Sequence, residues 1–215
     1  MDGKQVIYMS RAGLFPSVSC YVVSWAGGPA RNLDSAKSIV WDWSNDGRAV
    51  LAATTASPPG IELVDIAANV AIPFLNRPRD VFQAHISHDG RWAIAQEPTG
   101  DGVLIAPVVD GKPPAKEQWK PLGLKGVDLI RWSPDDGAIY FISSRDSFRC
   151  IWAQRLDPRT KRKSDEPFAV AHFHRANRSL RVFNSGEIGL AVARDKMVVA
   201  EAERTGNVWT TRMAQ

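Results

Sequence analysis

A short turn motif returns along the chain at nearly constant spacing. It reads Trp43-Ser44-Asn45-Asp46-Gly47, then Ile86-Ser87-His88-Asp89-Gly90, then Trp132-Ser133-Pro134-Asp135-Asp136-Gly137. Asp2-Gly3 is a shortened copy, so glycines fall at 3, 47, 90 and 137, in steps of 44, 43 and 47. Glycine supplies the positive φ that a tight hairpin demands, and Asp, Asn and Ser can hydrogen-bond the local backbone. An apolar run follows each turn: Val6-Ile7-Tyr8-Met9, Ala49-Val50-Leu51-Ala52, Trp92-Ala93-Ile94-Ala95 and Ile139-Tyr140-Phe141-Ile142. After a second turn comes a third strand: Cys20-Tyr21-Val22-Val23, Ile61-Glu62-Leu63-Val64, Val103-Leu104-Ile105-Ala106 and Ile151-Trp152-Ala153-Gln154. A polar turn and a short fourth strand, such as Ala30-Arg31-Asn32-Leu33, close the unit.

A period of this size marks a repeat architecture, and roughly 40–50 residues suits one four-stranded propeller blade. The second strands are short and apolar on both faces, as expected of a strand covered on each side by neighbouring sheets. Short turns favour antiparallel hairpins. The 14 prolines and 16 glycines break the chain too often for long helices. The expected fold is all-β, a propeller of antiparallel four-stranded blades in an incomplete or open arc of about four to five blades. The repeats run about 1–36, 37–79, 80–125, 126–178 and 179–215 as one array. In the fifth unit Asp195-Lys196 replaces Asp-Gly, Met197 to Ala200 is the second strand, and Asn207 to Thr211 is the third. The chain begins inside a blade, so an open arc is expected to expose a strand edge.

Composition narrows the partners. The 27 Lys and Arg residues face 23 Asp and Glu, a formal net charge of +4. That excess is too small to mark a nucleic-acid surface, and no nucleic acid is expected as a partner. The basic run Arg159-Thr160-Lys161-Arg162-Lys163 reads as a solvated hairpin tip, the alternative being a phosphate contact. Cys20 and Cys150 fall on third strands of the first and fourth repeats, too far apart for a disulfide, and read as buried free thiols. The uncharged stretch from Ala12 to Ala30 contains Pro16, Gly27, Gly28 and Pro29, so no membrane insertion is expected there.

With its repeats laid out, the chain resembles the TolB-like propellers of bacteria, whose repeats centre on a Ser-Pro-Asp-Gly turn. Trp132-Ser133-Pro134-Asp135, with Ile139-Tyr140-Phe141 and Ile151-Trp152, is the clearest copy. Phe148 to Pro158 and Thr205-Gly206-Asn207-Val208-Trp209 look like final blades of such propellers. The resemblance covers essentially the whole chain. It implies the sensor-like C-terminal part of a membrane-anchored regulator or kinase, a periplasmic or extracytoplasmic location, and a protein or peptide partner. A second implied reading is the propeller of a prolyl-oligopeptidase-type hydrolase, detached from its catalytic domain.

Three sets of residues could carry chemistry. Asp42, His85 and Arg131 occupy equivalent positions in three first strands. First strands lie innermost in a propeller, so the three form either a polar channel rim that binds a ligand or peptide, or inter-blade hydrogen bonds. His172-x-His174 has metal-ligand spacing, and an extended segment would set both imidazoles on one face. Zinc needs at least a third protein ligand, and none is evident, because His85 and His88 belong to another repeat. No metal and no cofactor are therefore expected. Ser143-Ser144-Arg145-Asp146 reads as a hairpin turn rather than a nucleophile beside an acid. No catalytic residue is assigned, and the chain is read as a non-enzymatic interaction module. Most of the eight tryptophans sit at strand positions and read as core, while Trp25 and Trp119 near turns read as surface-contact candidates.

Overall fold

The recurring turn is a hydrogen-bonded knot that starts each hairpin in the same way. In the computed structural model, the Ser44 amide donates to the Ala49 carbonyl at 2.8 Å, and the Ala49 amide donates to Ser44 Oγ at 2.9 Å. Ser44 Oγ in turn donates to Asp46 Oδ1 at 2.7 Å. Ser87 with Asp89 and Ser133 with Asp135 repeat these bonds at 2.7 and 2.6 Å. The bonds from Ser44 and the Arg48 amide hold the Asp46 carboxyl below its ordinary pKa. Ser133 and the Gly137 amide do the same for Asp135. At Asp89 burial pulls the other way, but bonds from Ser87 and Arg91 outweigh it.

One alignment is corrected. The left-handed residue is Gly47 (φ 70°), Gly90 (φ 72°) and, in the third full copy, Asp136 (φ 56°) rather than Gly137. Gly137 occupies the place of Arg48 and Arg91, its amide donating to Asp135 Oδ1 at 3.0 Å. The Asp2-Gly3 copy lies outside the described residues, which are 4–12, 17–54, 57, 59–76, 80–98, 100–174, 178–180 and 189–203.

From these turns the chain builds sheets in sequence order. The first has three strands, β1 (Gln5–Ala12), β2 (Ser17–Ser24) and β3 (Arg31–Asn32). The second has four: β4 (Val40–Trp43), β5 (Ala49–Ala53), β6 (Ile61–Asp65) and β7 (Val70–Leu75). The third contains β8 (Gln83–Ile86), β9 (Trp92–Glu97), β10 (Gly102–Pro107) and β11 (Lys120–Pro121). The fourth contains β12 (Val127–Trp132), β13 (Ala138–Ser143), β14 (Cys150–Arg155) and β15 (Phe168–Ala171). A fifth unit follows, with β16 (Arg178–Ser179) paired to β19 (Ala202–Glu203) and β17 (Leu190–Val192) paired to β18 (Met197–Val199). The expected third strand from Asn207 to Thr211 lies outside the described residues. Helix is confined to one 3-10 turn, Lys116–Gln118, among the described residues.

Strand alternation assigns each sheet two cores. On β5, Val50 and Ala52 face the first sheet's Cys20, Val22 and Leu33, while Leu51 faces the third sheet. On β9, Ala93 and Ala95 face back toward Leu51 and Ile61, and Ile94 faces forward to Ile139 and Phe141. On β13, Ile142 turns to a fourth core with Leu180 and Leu190. Period-2 alternation thus places one apolar layer between each pair of successive sheets. The first strands β4, β8, β12 and β17 lie against one another in that order, which places them along the axis.

Candidate functional site

The axial strands bring Asp42, His85 and Arg131 together. They line one cavity of about 240 Å³ with Trp41, Trp43, Asn45, His88 and Trp132. Asp42, the third residue of β4, has a carboxylate that spans two blades. Its Oδ1 accepts the Trp43 amide at 2.9 Å and its Oδ2 accepts the Ile86 amide at 3.0 Å. His85 is buried, with Nδ1 3.4 Å from Asp42 Oδ2. Its Nε2 lies 2.6 Å from Arg131 Nη1. A guanidinium can only donate, so Nε2 accepts and the ring proton sits on Nδ1, facing Asp42. Burial, with Arg131 alongside, lowers the His85 pKa from 6.5 to about 4, and the imidazole is neutral at pH 7. Burial also lowers the Arg131 pKa, opposed by the charge of Asp42. Arg131 Nη1 additionally donates to Gln83 Oε1 at 3.2 Å and to the Ile130 carbonyl at 2.7 Å.

The two sequence alternatives for this trio are not exclusive in the geometry. The hydrogen bonds are inter-blade ties, and the same groups border a cavity. Two members were missed by sequence reading. Gln83 Nε2 donates to Gln96 Oε1 at 2.5 Å and to the Asp128 carbonyl at 3.1 Å, and Gln96 Nε2 donates to the Val127 carbonyl. Both glutamines are buried. The available signal was an amide side chain within each of two strands of mostly buried residues, where a buried polar group needs a partner.

A second row of bonds joins the turns themselves. Asn45 Nδ2 donates to the Ser87 carbonyl at 2.9 Å and also to that of His88. Asp136 accepts the His88 and Asp89 amides, each at 2.9 Å, and faces His88 Nδ1 at 2.8 Å. Lys161, within the basic run, is buried and donates to the Asp136 carbonyl at 2.6 Å. Its neighbours Arg159, Thr160, Arg162 and Lys163 are exposed, as a hairpin tip predicts. Trp25 is exposed as expected, at 77%. Trp119 is corrected: it is buried at 4% and packs edge-on against Phe74, because the chain after the 3-10 turn folds back over the second and third sheets. Cys20 and Cys150 are free and buried, and burial raises the Cys20 thiol to about 11.

The histidine pair is also revised. His172 and His174 follow β15 on one side of the chain, with Nδ1 and Nε2 3.1 Å apart. The sequence offered no third ligand, but Asp146 and Cys150 from the β13–β14 hairpin stand beside them. That reason for excluding a metal therefore does not hold. The partners come from a different hairpin and are not histidines, so spacing alone did not indicate them.

No family model and no curated protein sequence matches the chain. Solved structures do resemble it. TolB from Acinetobacter baumannii superposes with a TM-score of 0.63 at 14% identity, covering 93% of this chain and 50% of that one. A putative TolB from Agrobacterium tumefaciens gives 0.57 at 19% identity, over 73% and 58%. A Mycobacterium tuberculosis puromycin-hydrolyzing peptidase gives 0.59 at 15% identity, over 91% and 35%. The present chain thus spans about half the length of the TolB structures it matches. The fold is a β-propeller. More specifically, that fold is similar to the TolB propellers, and the described residues form three four-stranded sheets, one three-stranded sheet and a fifth unit of two strand pairs. No helix among the described residues is long and apolar enough to cross a membrane.

Proposed function

We propose that this chain is a non-catalytic propeller scaffold that binds a protein or peptide at the turn-bearing end of its axis, as a sensor-like, extracytoplasmic part of a larger bacterial protein. The observation that carries this reading is the axial cavity, where an acceptor (Asp42) and a cation (Arg131) stand among three tryptophans. Trp41, Trp43 and Trp132 give its wall the apolar surface that a peptide side chain would cover. Aromatic side chains around a few oriented polar groups are the usual composition of a recognition site. The trio is poorly suited to chemistry. His85 directs its acceptor nitrogen at Arg131 and its proton at Asp42, leaving no lone pair for a substrate hydroxyl.

Affinity capture with the 215-residue chain, followed by cross-link mapping, tests the reading. Cross-links are expected on the turns around Asn45, His88 and Pro134. Asp42→Asn with Arg131→Met is expected to weaken capture at least tenfold at a temperature where circular dichroism shows the variant still folded, its unfolding midpoint lowered by the lost inter-blade bonds. Cross-links confined to the outer strands, or capture unaffected by the double variant, would sink it. A second reading follows from the match to the puromycin-hydrolyzing peptidase. In it, the chain is a propeller that works beside a separate hydrolase domain. Discovery of an α/β-hydrolase segment in the same polypeptide would favour that reading.

A further inference from the structure

We propose that Asp146, Cys150, His172 and His174 form a divalent zinc site on the rim of the fourth sheet. Two turns of the backbone create it. The β13–β14 hairpin closes through the Ser147 amide on the Ser144 carbonyl at 2.9 Å, with Ser147 at φ 75°, and this turn carries Asp146. Cys150 opens β14, and the register Ile151↔Ala171 sets it beside the residue after β15, His172. His174 follows two residues on, on the same side. One ligand atom from each of the four residues lies within 4.8 Å of all the others.

The inner geometry is a triangle. His174 Nε2 is 2.9 Å from Asp146 Oδ2, His172 Nδ1 is 3.2 Å from the same oxygen, and the two nitrogens are 3.1 Å apart. Protons alone satisfy this triangle badly. If both nitrogens carry a proton toward the carboxylate, two N–H groups lie side by side. If one does not, its lone pair and the carboxylate compete for the other ring's single N–H. A central cation removes the conflict, because each of the three atoms can then offer it a lone pair. Tetrahedral zinc with bonds of about 2.0–2.2 Å to N and O sets its ligands roughly 3.3–3.6 Å apart. The three N and O atoms therefore need to move apart by only a few tenths of an ångström, while Cys150 Sγ, within 4.8 Å of each of them, closes in on the ion.

The donor set suits the ion. Two imidazoles, one thiolate and one carboxylate match zinc rather than calcium or magnesium, which take oxygen ligands. Cys150 Sγ already accepts the Phe173 amide at 3.4 Å, the polarity a thiolate requires. Cys150 is a free thiol, so binding the ion expels its proton to solvent. Asp146 Oδ1 accepts the Phe148 amide at 3.3 Å, which leaves Oδ2 facing the two imidazoles. Phe148 lies 4.7 Å from His174 and Trp152 lies 6.0 Å from His172, ring centre to ring centre, giving the site aromatic walls. The half-exposed histidines leave an entry path, at 51% and 45% side-chain exposure. Four protein ligands close the coordination sphere, so the ion is structural and clamps the β13–β14 hairpin to the chain leaving β15.

The test uses the whole 215-residue chain, stripped with chelator and reloaded. On the order of one zinc per chain is expected by elemental analysis. His172→Ala and His174→Ala, both on the surface, are each expected to lower zinc affinity at least about tenfold while far-ultraviolet circular dichroism stays unchanged. The cobalt-loaded protein is expected to show tetrahedral d–d bands and a thiolate-to-cobalt charge-transfer band. The wild-type spectrum reports Cys150 directly, even if Cys150→Ser, a buried substitution, does not fold. Substoichiometric zinc, affinity unchanged in both histidine variants, or an octahedral cobalt spectrum without charge transfer would each overturn the proposal.

Discussion

His85 shows how far a single side chain departs from its sequence context. In the chain it is one polar residue in the segment Gln83-Ala84-His85-Ile86. In the fold it is 3% exposed and held between a carboxylate and a guanidinium. Its pKa is lowered to about 4, so the folded state resists protonation while the unfolded chain accepts a proton near 6.5. Stability from this group is full above pH 6.5 and is lost as the pH falls from 6.5 toward 4, by about 3 kcal/mol in total. Asp46, Asp89 and Asp135 are shifted below 3.8, so their losses come at lower pH. Thermal unfolding midpoints are expected to fall between pH 6.5 and 4 in the wild type and to lose most of that slope in His85→Asn. An identical slope in the variant would refute the assignment. That Asp42, His85 and Arg131 stand next to one another was readable from their equivalent positions in the repeat. The direction of the bonds was not, because it depends on which carbonyl and amide stand opposite.

Hairpins were the most legible part of the chain, because a turn is a local object. Ser, Asp and Gly within five residues define the knot at Ser44–Gly47 and at Ser87–Gly90, and sequence alone locates both. The copy at Ser133 misled the alignment. Asp136 takes the left-handed φ, at a cost of roughly 1–2 kcal/mol, offset by carboxylate bonds to the His88 and Asp89 amides of the preceding blade. No local rule anticipates a strain that is compensated across blades. Glycines separate in the same way. At Gly47 (φ 70°) a Cβ would point into open space, whereas a Cβ on Gly102 (φ 81°) would meet the Leu124 carbonyl oxygen at 2.0 Å. Urea unfolding is therefore expected to show Gly47→Ala losing about 1 kcal/mol and Gly102→Ala losing about 3 kcal/mol or more. Equal losses would mean that the β10 start does not pack against the Leu124 backbone as described.

Across the molecule, each four-stranded sheet is shared between two cores among the described residues. β9 gives Ala93 and Ala95 to one layer and Ile94 to the next. A blade taken alone would expose both faces, so neighbouring blades should stabilise one another in a linear chain of interfaces. Phe141, fully buried between the third and fourth sheets, is the sharpest probe. Phe141→Ala is expected to cost about 3–5 kcal/mol. The variant and the wild type should each unfold in one transition, with tryptophan fluorescence and circular dichroism coinciding. Two separated transitions would show that the blades fold independently.

The amino-acid sequence by itself determined the blade: its period, its turns, its doubly apolar second strands and the axial position of Asp42, His85 and Arg131. All of these follow from φ preferences and period-2 alternation, which act over a few residues. The tertiary structure alone decided what meets across blades and hairpins. It paired Asp136 with the turn of the preceding blade, buried Trp119 and Lys161, and carried Asp146 and Cys150 to His172 and His174. Those contacts depend on strand register and sheet stacking, where a shift of one residue reverses every side chain, and no local pattern encodes that choice.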